Sequence, residues 1–145
     1  MLVDFEVRRF PEGTRTAEDA ARAIGCQLGQ IVKSLVFFAA GSPVVALISG
    51  SNRLDPARLA RVAGDPVAKA DAESTRVTTG FAIGGVPPFG HLQDLPVFID
   101  RDLLGHEVVW AAAGKPDSVF AITPDRLIEL SAGSVADLKA ATEVA

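Results

Sequence analysis

Cysteine and histidine are scarce in this 145-residue chain, which contains one cysteine, Cys26, and two histidines, His91 and His106. A single cysteine cannot form a disulfide within the chain. One cysteine and two histidines, without the usual ligand spacing, also argue against a zinc site of the Cys/His type. We therefore expect a protein that needs no metal or other cofactor, in which Cys26 is a small buried residue.

Long apolar runs are missing as well. The longest ones, residues 35–40 and 108–113, are far shorter than the roughly 20 residues that a membrane-spanning helix needs. The first residues also lack the basic stretch and apolar core of a signal peptide. Because no targeting segment is recognisable, we expect a cytoplasmic protein that has no membrane partner.

Positive charge is not in excess, since the chain has 14 lysines and arginines, 18 acidic residues and a net charge of −4. Affinity for a phosphate backbone is built from many lysines and arginines. The balance therefore excludes an extended surface for DNA, while a small site for one nucleotide end stays open. The length favours one domain over residues 1–145, and a hydrophobic content of 48% is typical of a globular protein.

Several common catalytic motifs are absent from the sequence. It has no phosphate-binding P-loop and no His-Glu-x-x-His zinc motif. It also has neither Gly-x-Ser-x-Gly nor Ser-x-x-Lys, the motifs of two classes of serine enzyme. Of the two histidines, His106 is interpreted as a surface loop residue, and His91 is the better functional candidate because it lies in a Gly/Pro-rich segment.

That segment, residues 78–94, holds four of the thirteen glycines and two of the nine prolines. Gly84 and Gly85 permit positive φ and close approach of the backbone. Pro87 and Pro88 fix φ and remove two N–H donors. The pattern predicts a stiff loop whose backbone amides near the two glycines can hold a carbonyl or an oxyanion. A structural bend between two strands is the alternative.

Lys33 lies inside residues 31–38, a β-branched and aromatic stretch that predicts a core strand. An ammonium group is costly in such surroundings. Either its side chain reaches water from the end of the strand, or it points into a cleft. A cation together with free backbone amides can stabilise a developing oxyanion without a nucleophile from the protein.

Further strands and helices are predicted along the whole chain. Helices should begin after the capping residues Thr16, Asp55, Asp71 and Thr123. Alternation and β-branched residues predict additional strands at residues 5–10, 44–48, 67–70, 95–100, 107–113 and 118–122. Because strands and helices do not alternate regularly, a doubly wound parallel sheet is not expected. We expect an α+β fold with a mixed, strongly curved, barrel-like sheet and helices packed outside it.

Three separated motifs resemble those of the YbaK/prolyl-tRNA editing-domain family. They are Ile-Val-Lys-Ser-Leu-Val at residues 31–36, Thr-Gly-Phe at 79–81 leading to Gly-Gly-Val-Pro-Pro-Phe-Gly-His at 84–91, and Ala-Gly-Lys at 113–115. Their order and spacing match the family from about Thr16 to about Leu138. The resemblance implies a free-standing aminoacyl-tRNA deacylase with a curved, barrel-like sheet.

The resemblance also implies roles for individual residues. Lys33 would face the 3′-terminal adenosine and the aminoacyl ester, and backbone groups of Gly84 and Gly85 would take part in catalysis. Water would attack without a metal, with help from the substrate itself. The partners implied are the aminoacylated acceptor end of a tRNA and a prolyl-tRNA synthetase. The implied substrate-binding residues are Ser34, Thr79, Gly80, Val86, Pro87, Pro88, Phe89, Gly90, His91 and Gly114.

Two positions depart from the family pattern. Some relatives carry Ser or Asn near Ala112, which has no hydroxyl, and other members have Thr or Asn where Ser34 stands. These differences leave the amino acid that is removed open, beyond a small non-cognate one on a proline tRNA. Two other functions also stay open: a non-catalytic module that binds a nucleotide end or a synthetase, and a hydrolase of another small ester or amide.

Overall fold

Helices and strands alternate irregularly in this computed structural model, which describes residues 5–11 and 16–141. The strands are β1 (Val7–Arg9), β2 (Val32–Ala39), β3 (Ser42–Ser49), β4 (Val67–Lys69), β5 (Val97–Asp100), β6 (Val109–Ala112), β7 (Ser118–Ile122) and β8 (Ser134–Ala136). The helices are α1 (Ala17–Ile24), α2 (Pro56–Ala63), α3 (Ala72–Thr79) and α4 (Pro124–Ser131), with short 3₁₀ turns at Leu28–Gln30 and Arg101–Gly105. Within these residues, no helix has the length and apolar character to cross a membrane.

The four helices begin at the predicted capping residues. In each case the side chain of the capping residue accepts a hydrogen bond from a backbone N–H of the first turn, as from Asp19 to Thr16 and from Ser74 to Asp71. Such bonds satisfy donors that have no partner inside the helix. Helix α3 ends at Gly80, whose φ of 86° is the left-handed conformation that glycine adopts at helix ends.

The strands form two sheets among the residues described. The larger sheet has the order β4-β2-β3-β5-β8 and the smaller one the order β1-β7-β6. Strand β2 is antiparallel to β3 and β4, whereas β5 is parallel to both β3 and β8. The larger sheet is therefore mixed, and the predicted α+β class is confirmed.

The expected barrel-like sheet is not supported. The two sheets of the described residues meet at a single isolated bridge, between Ile31 and Trp110, and neither is closed. Strand β2 pairs with β3 along its whole length and with β4 at its far end, and the bridge to β6 is made by Ile31, just before β2. The sequence pattern identified strands β1 to β7 but could not show which edges pair, since pairing depends on contacts between distant segments.

Both faces of the larger sheet are covered by apolar side chains. Along β3, Val45 and Leu47 join one buried cluster, which includes Phe120, while Ala46 and Ile48 join a second cluster on the other face. This division follows from the alternation of side chains along a strand. Each fully buried large apolar side chain contributes about 1.5–3 kcal/mol, so the two clusters hold the sheet rigidly between them.

Two features differ from the sequence prediction. Strand β8 lies in a stretch of small and polar residues and was not predicted. It forms through backbone pairing with β5, which the residue types of a short stretch do not reveal. Cys26 is half-buried rather than fully buried, next to a small cluster around Ala20, Ala21 and Ile31. This partial burial raises the pKa of the Cys26 thiol.

Candidate functional site

A cavity of about 350 Å³ lies where the start of β2, the Gly/Pro loop and β6 come together. Its volume falls in the range of about 300–1,000 Å³ that is usual for small-molecule sites. The beginning of α1 contributes Thr16 and Glu18, and β6 contributes Trp110 and Ala112. We call it the first cavity.

Lys33 lines the first cavity from β2. Its Nζ donates a hydrogen bond of 2.7 Å to the backbone carbonyl of Asn52. Desolvation lowers the pKa of Lys33, and the carboxylates of Glu18 and Asp100 offset part of that effect. The half-buried ammonium has three N–H donors, and among the residues described only the carbonyl of Asn52 accepts from them. The remaining donors can serve a ligand.

The Asn52 carbonyl is held in place by a hydrogen-bond network centred on a buried carboxylate. The Asn52 side chain donates to Asp100 Oδ2 at 2.8 Å and to Asp102 Oδ2 at 2.9 Å. Asp100, which is 1% exposed, also accepts from the backbone N–H groups of Ser49 and Asp102. One carboxylate at the end of β5 thus fixes the turn after β3, and with it the carbonyl that binds Lys33.

Sequence reasoning missed Asn52 and Asp100. Asp100 ends an apolar strand, and a carboxylate in that position is rarely buried without partners. That signal could have identified Asp100, but not its pairing with Asn52, which lies 48 positions earlier.

Ser34 offers a hydroxyl without a partner. Among the described residues its Oγ is the one buried side-chain polar atom that forms no hydrogen bond within the protein. Buried polar atoms almost always find a partner. Ser34 lines the first cavity, but its Oγ is buried behind the cavity surface, so the hydroxyl can bind a polar group of a ligand only after its side chain rotates.

The Gly/Pro loop begins at buried Thr79. The Oγ1 of Thr79 donates to the carbonyl of Thr75 and accepts from the N–H of Phe81, which fixes the exit from α3. A turn follows, in which Gly85 donates its N–H to the Ala82 carbonyl and Gly84 has a φ of 89°. This turn brings Ile83, Gly84 and Val86 to the first cavity.

Gly85 lies against the turn between β6 and β7 rather than in the cavity lining. A Cβ at Gly85 would be 3.0 Å from the Cα of Lys115 and 3.1 Å from the carbonyl oxygen of Gly114. Gly114, with a φ of 103°, would in turn place a Cβ 3.2 Å from the ring of Phe81. The absence of side chains at both positions lets the loop and the turn pack directly on each other.

The middle of the loop is anchored in the core. Pro87, Pro88 and Phe89 are buried, and the ring of Phe89 packs edge-on against Phe120 with centroids 5.9 Å apart. The Nε2 of His91 lies 2.7 Å from the carbonyl oxygen of Pro87, and because a carbonyl only accepts, Nε2 carries the proton. Burial lowers the pKa of His91, partly offset by this hydrogen bond, so the ring is mainly neutral at pH 7.

The structure brings together part of the predicted site. Lys33, Ser34, Gly84 and Val86 line the first cavity. The other predicted residues are outside its lining and build the loop or the turn that supports it: Thr79, Gly80, Gly85, Pro87, Pro88, Phe89, Gly90, His91 and Gly114. His106, expected at the surface, is half-buried beside Gly29. No group of three or more potential metal-binding His, Cys, Asp or Glu side chains occurs within residues 5–11 and 16–141.

Comparison with known proteins gives consistent matches. The model of the family "Aminoacyl-tRNA editing domain" matches residues 11–130. The "Uncharacterized protein YwhH" of Bacillus subtilis is 32% identical over 90% of this chain and 83% of its own length. The "Putative Cys-tRNA(Pro)/Cys-tRNA(Cys) deacylase EbsC" of Enterococcus faecalis is 29% identical over 89% of this chain and 80% of its own length. A solved structure titled "Crystal structure of a putative trans-editing enzyme for prolyl tRNA synthetase" superposes with a TM-score of 0.91, at 48% identity, over 95% of this chain and 88% of that one.

The packing at Gly85 leads to a stability prediction. The variant Gly85→Ala should lower the free energy of unfolding by about 1–3 kcal/mol, the usual cost of overpacking, because its Cβ meets backbone atoms that cannot move aside. The matched control is Gly105→Ala, since Gly105 has open space around its Cβ position. Urea denaturation measures both variants. Equal stability of the two would contradict the packing role of Gly85.

The buried carboxylate leads to a second prediction. In Asp100→Asn, the amide NH₂ group must face at least one N–H donor that the carboxylate now accepts from. An unsatisfied buried donor costs about 1–3 kcal/mol, and we expect a loss of that size in the free energy of unfolding. Asp65→Asn is the control, because Asp65 is exposed. If thermal and urea unfolding of Asp100→Asn match the wild type, the network does not hold the turn.

Proposed function

This chain belongs to the aminoacyl-tRNA editing domain family, and from that premise we propose that it hydrolyses the ester of a mischarged tRNA. The observation that carries the proposal is the ammonium of Lys33, held on the Asn52 carbonyl at the edge of a cavity of suitable size. A fixed cation of this kind stabilises negative charge that develops on an ester oxygen.

The proposed reaction is attack of water on the ester carbonyl. A C–O bond to water forms, the C–O bond to the terminal ribose breaks, and a proton from water passes to the ribose oxygen. The products are a free amino acid and an uncharged tRNA. The hydroxyl next to the ester on the same ribose assists the water, and no metal takes part.

In this proposal the residues of the first cavity have different roles. Lys33 and the backbone around Gly84 face the carbonyl oxygen, where charge builds up in the transition state. Ser34 is the proposed contact for a polar group of the substrate; its Oγ is buried and without a partner in the free protein, so its side chain has to rotate toward the cavity to make that contact. Glu18, the acidic residue in the lining, attracts the α-ammonium group of the esterified amino acid.

For the substrate, we propose a proline tRNA that carries a small non-cognate amino acid. Support comes from the names of two similar proteins: one refers to Cys-tRNA(Pro) and Cys-tRNA(Cys), and the other to prolyl tRNA synthetase. On the same grounds a prolyl-tRNA synthetase is a proposed partner, and the cytoplasm, where tRNA is charged, is the proposed location. We expect the site to accept small side chains and to reject bulky ones, and to separate small ones poorly, because one methylene changes binding by only about 1–3 kcal/mol.

A panel of charged tRNAs tests the function. Single-turnover hydrolysis is measured for proline tRNA esterified with Ala, Ser, Cys, Pro and Phe, with and without a synthetase and after treatment with a chelator. We expect fast hydrolysis of one or more small esters, little of the Phe ester, and no effect of the chelator. Binding without hydrolysis of any ester would favour the alternative of a non-catalytic module.

Lys33 gives the sharpest prediction for catalysis. The variants Lys33→Ala and Lys33→Met should both lower the rate of deacylation roughly 100- to 1,000-fold, the usual effect of removing one oxyanion contact of about 2.7–4 kcal/mol. Lys33→Met keeps the length of the side chain without its desolvated charge, so its unfolding temperature should not fall. Near-wild-type deacylation rates in both variants would exclude a catalytic role for Lys33. Unfolding of both would point to a structural lysine.

A further inference from the structure

A groove on the larger sheet borders the first cavity and has no assigned role. This second cavity, of about 470 Å³, is lined by the face of β2 that carries Lys33, Leu35 and Phe37, by the turn that follows β3, by Pro56 at the start of α2, and by β4. Leu54, Pro56 and Val67 give it an apolar surface. We call it the β4 groove.

The charge of the β4 groove is opposite to that of the whole protein. Its lining contains three cations, Lys33, Arg53 and Lys69, and no acidic residue, whereas the chain has a net charge of −4. Arg53 and Lys69 are exposed, and within residues 5–11 and 16–141 neither forms an ion pair. Their charges are therefore available to an anionic ligand.

The position of the β4 groove indicates which anion fits. Lys33 lines both the groove and the first cavity, so the two lie side by side, and a ligand that extends out of the first cavity past Lys33 reaches the groove. Grooves that bind single-stranded nucleic acid place cations along the phosphates and side chains, most often aromatic ones, against the base faces. The β4 groove supplies the cations, and Leu54, Pro56 and Val67 supply an aliphatic surface for the bases.

We propose that the β4 groove binds the unpaired nucleotides that precede the terminal adenosine of the tRNA acceptor end, with Arg53 and Lys69 on their phosphates. The proposal rests on the deacylase function proposed above. The protein would then bind the single strand next to the ester as well as the ester itself. A small set of cations would be enough for an otherwise acidic protein to bind RNA.

Binding of uncharged RNA tests the groove separately from the chemistry. Fluorescence anisotropy measures the affinity for an RNA hairpin with a four-nucleotide 3′ overhang ending in adenosine, and for the same hairpin with a blunt end, over a series of salt concentrations. The variants are Arg53→Gln, Lys69→Gln and the double variant. Arg76→Gln is the matched control, because Arg76 is exposed on α3 and lines neither cavity.

The double variant should reduce the slope of log affinity against log salt by about 1.4, since each phosphate contact to a single strand contributes about 0.7. If affinity at 1 M salt is unchanged, this corresponds to roughly 25-fold weaker binding at 0.1 M salt. Arg76→Gln should bind like the wild type, and the blunt hairpin should bind weakly to all variants.

Two results would overturn the proposal. In the first, the double variant binds the overhang with the affinity and salt slope of the wild type, whether or not the protein hydrolyses esters. In the second, the wild type binds the blunt hairpin as tightly as the overhang, and the double variant loses the same affinity for both RNAs. Conversely, loss of overhang binding in the double variant supports the groove even if the deacylation panel fails, so the two proposals can fail separately.

Discussion

The hydrogen bond from the Lys33 ammonium to the Asn52 carbonyl is the interaction on which the candidate site depends. A half-buried ammonium in an apolar strand is costly, and desolvation lowers its pKa accordingly. The cost is reduced because a carbonyl accepts from it and the carboxylates of Glu18 and Asp100 favour its charged form. Asp100 has a double role, since it also holds the Asn52 side chain. A buried carboxylate far along the chain thus sets the position of the cation.

The Gly/Pro loop contributes shape more than side chains. Only its turn at Ile83, Gly84 and Val86 reaches the first cavity. Residues 87–89 are buried, and Gly85 packs on the turn between β6 and β7. Gly85 and Gly114 make that packing possible because they lack a Cβ. The loop therefore forms a wall of the first cavity, as the proposed deacylation requires of backbone groups that are to be held at fixed positions.

Local features of this fold could be predicted from the sequence and distant pairings could not. The helix caps at Thr16, Asp55 and Asp71 were predicted correctly, because a cap depends on residues within one turn. The separation into two sheets and the pairing of β8 depend on contacts between distant segments. Lys33 could be singled out because a charge interrupts an apolar strand. Its partner Asn52 could not, since it lies in a polar turn without a distinctive pattern, and the β4 groove exists only once β2, β4 and α2 are assembled.

The ionisation of Lys33 tests the central claim most directly. Nuclear magnetic resonance of the lysine side chains, titrated with pH in the presence and absence of an adenosine that carries an amide-linked amino acid, follows the ammonium itself. We predict that Lys33 titrates below its ordinary pKa and that its resonance alone shifts strongly when the analogue binds, in contrast to Lys139, whose pKa is raised by its hydrogen bond to Asp102. A Lys33 that titrates at the ordinary pKa and does not respond to the analogue would contradict this account.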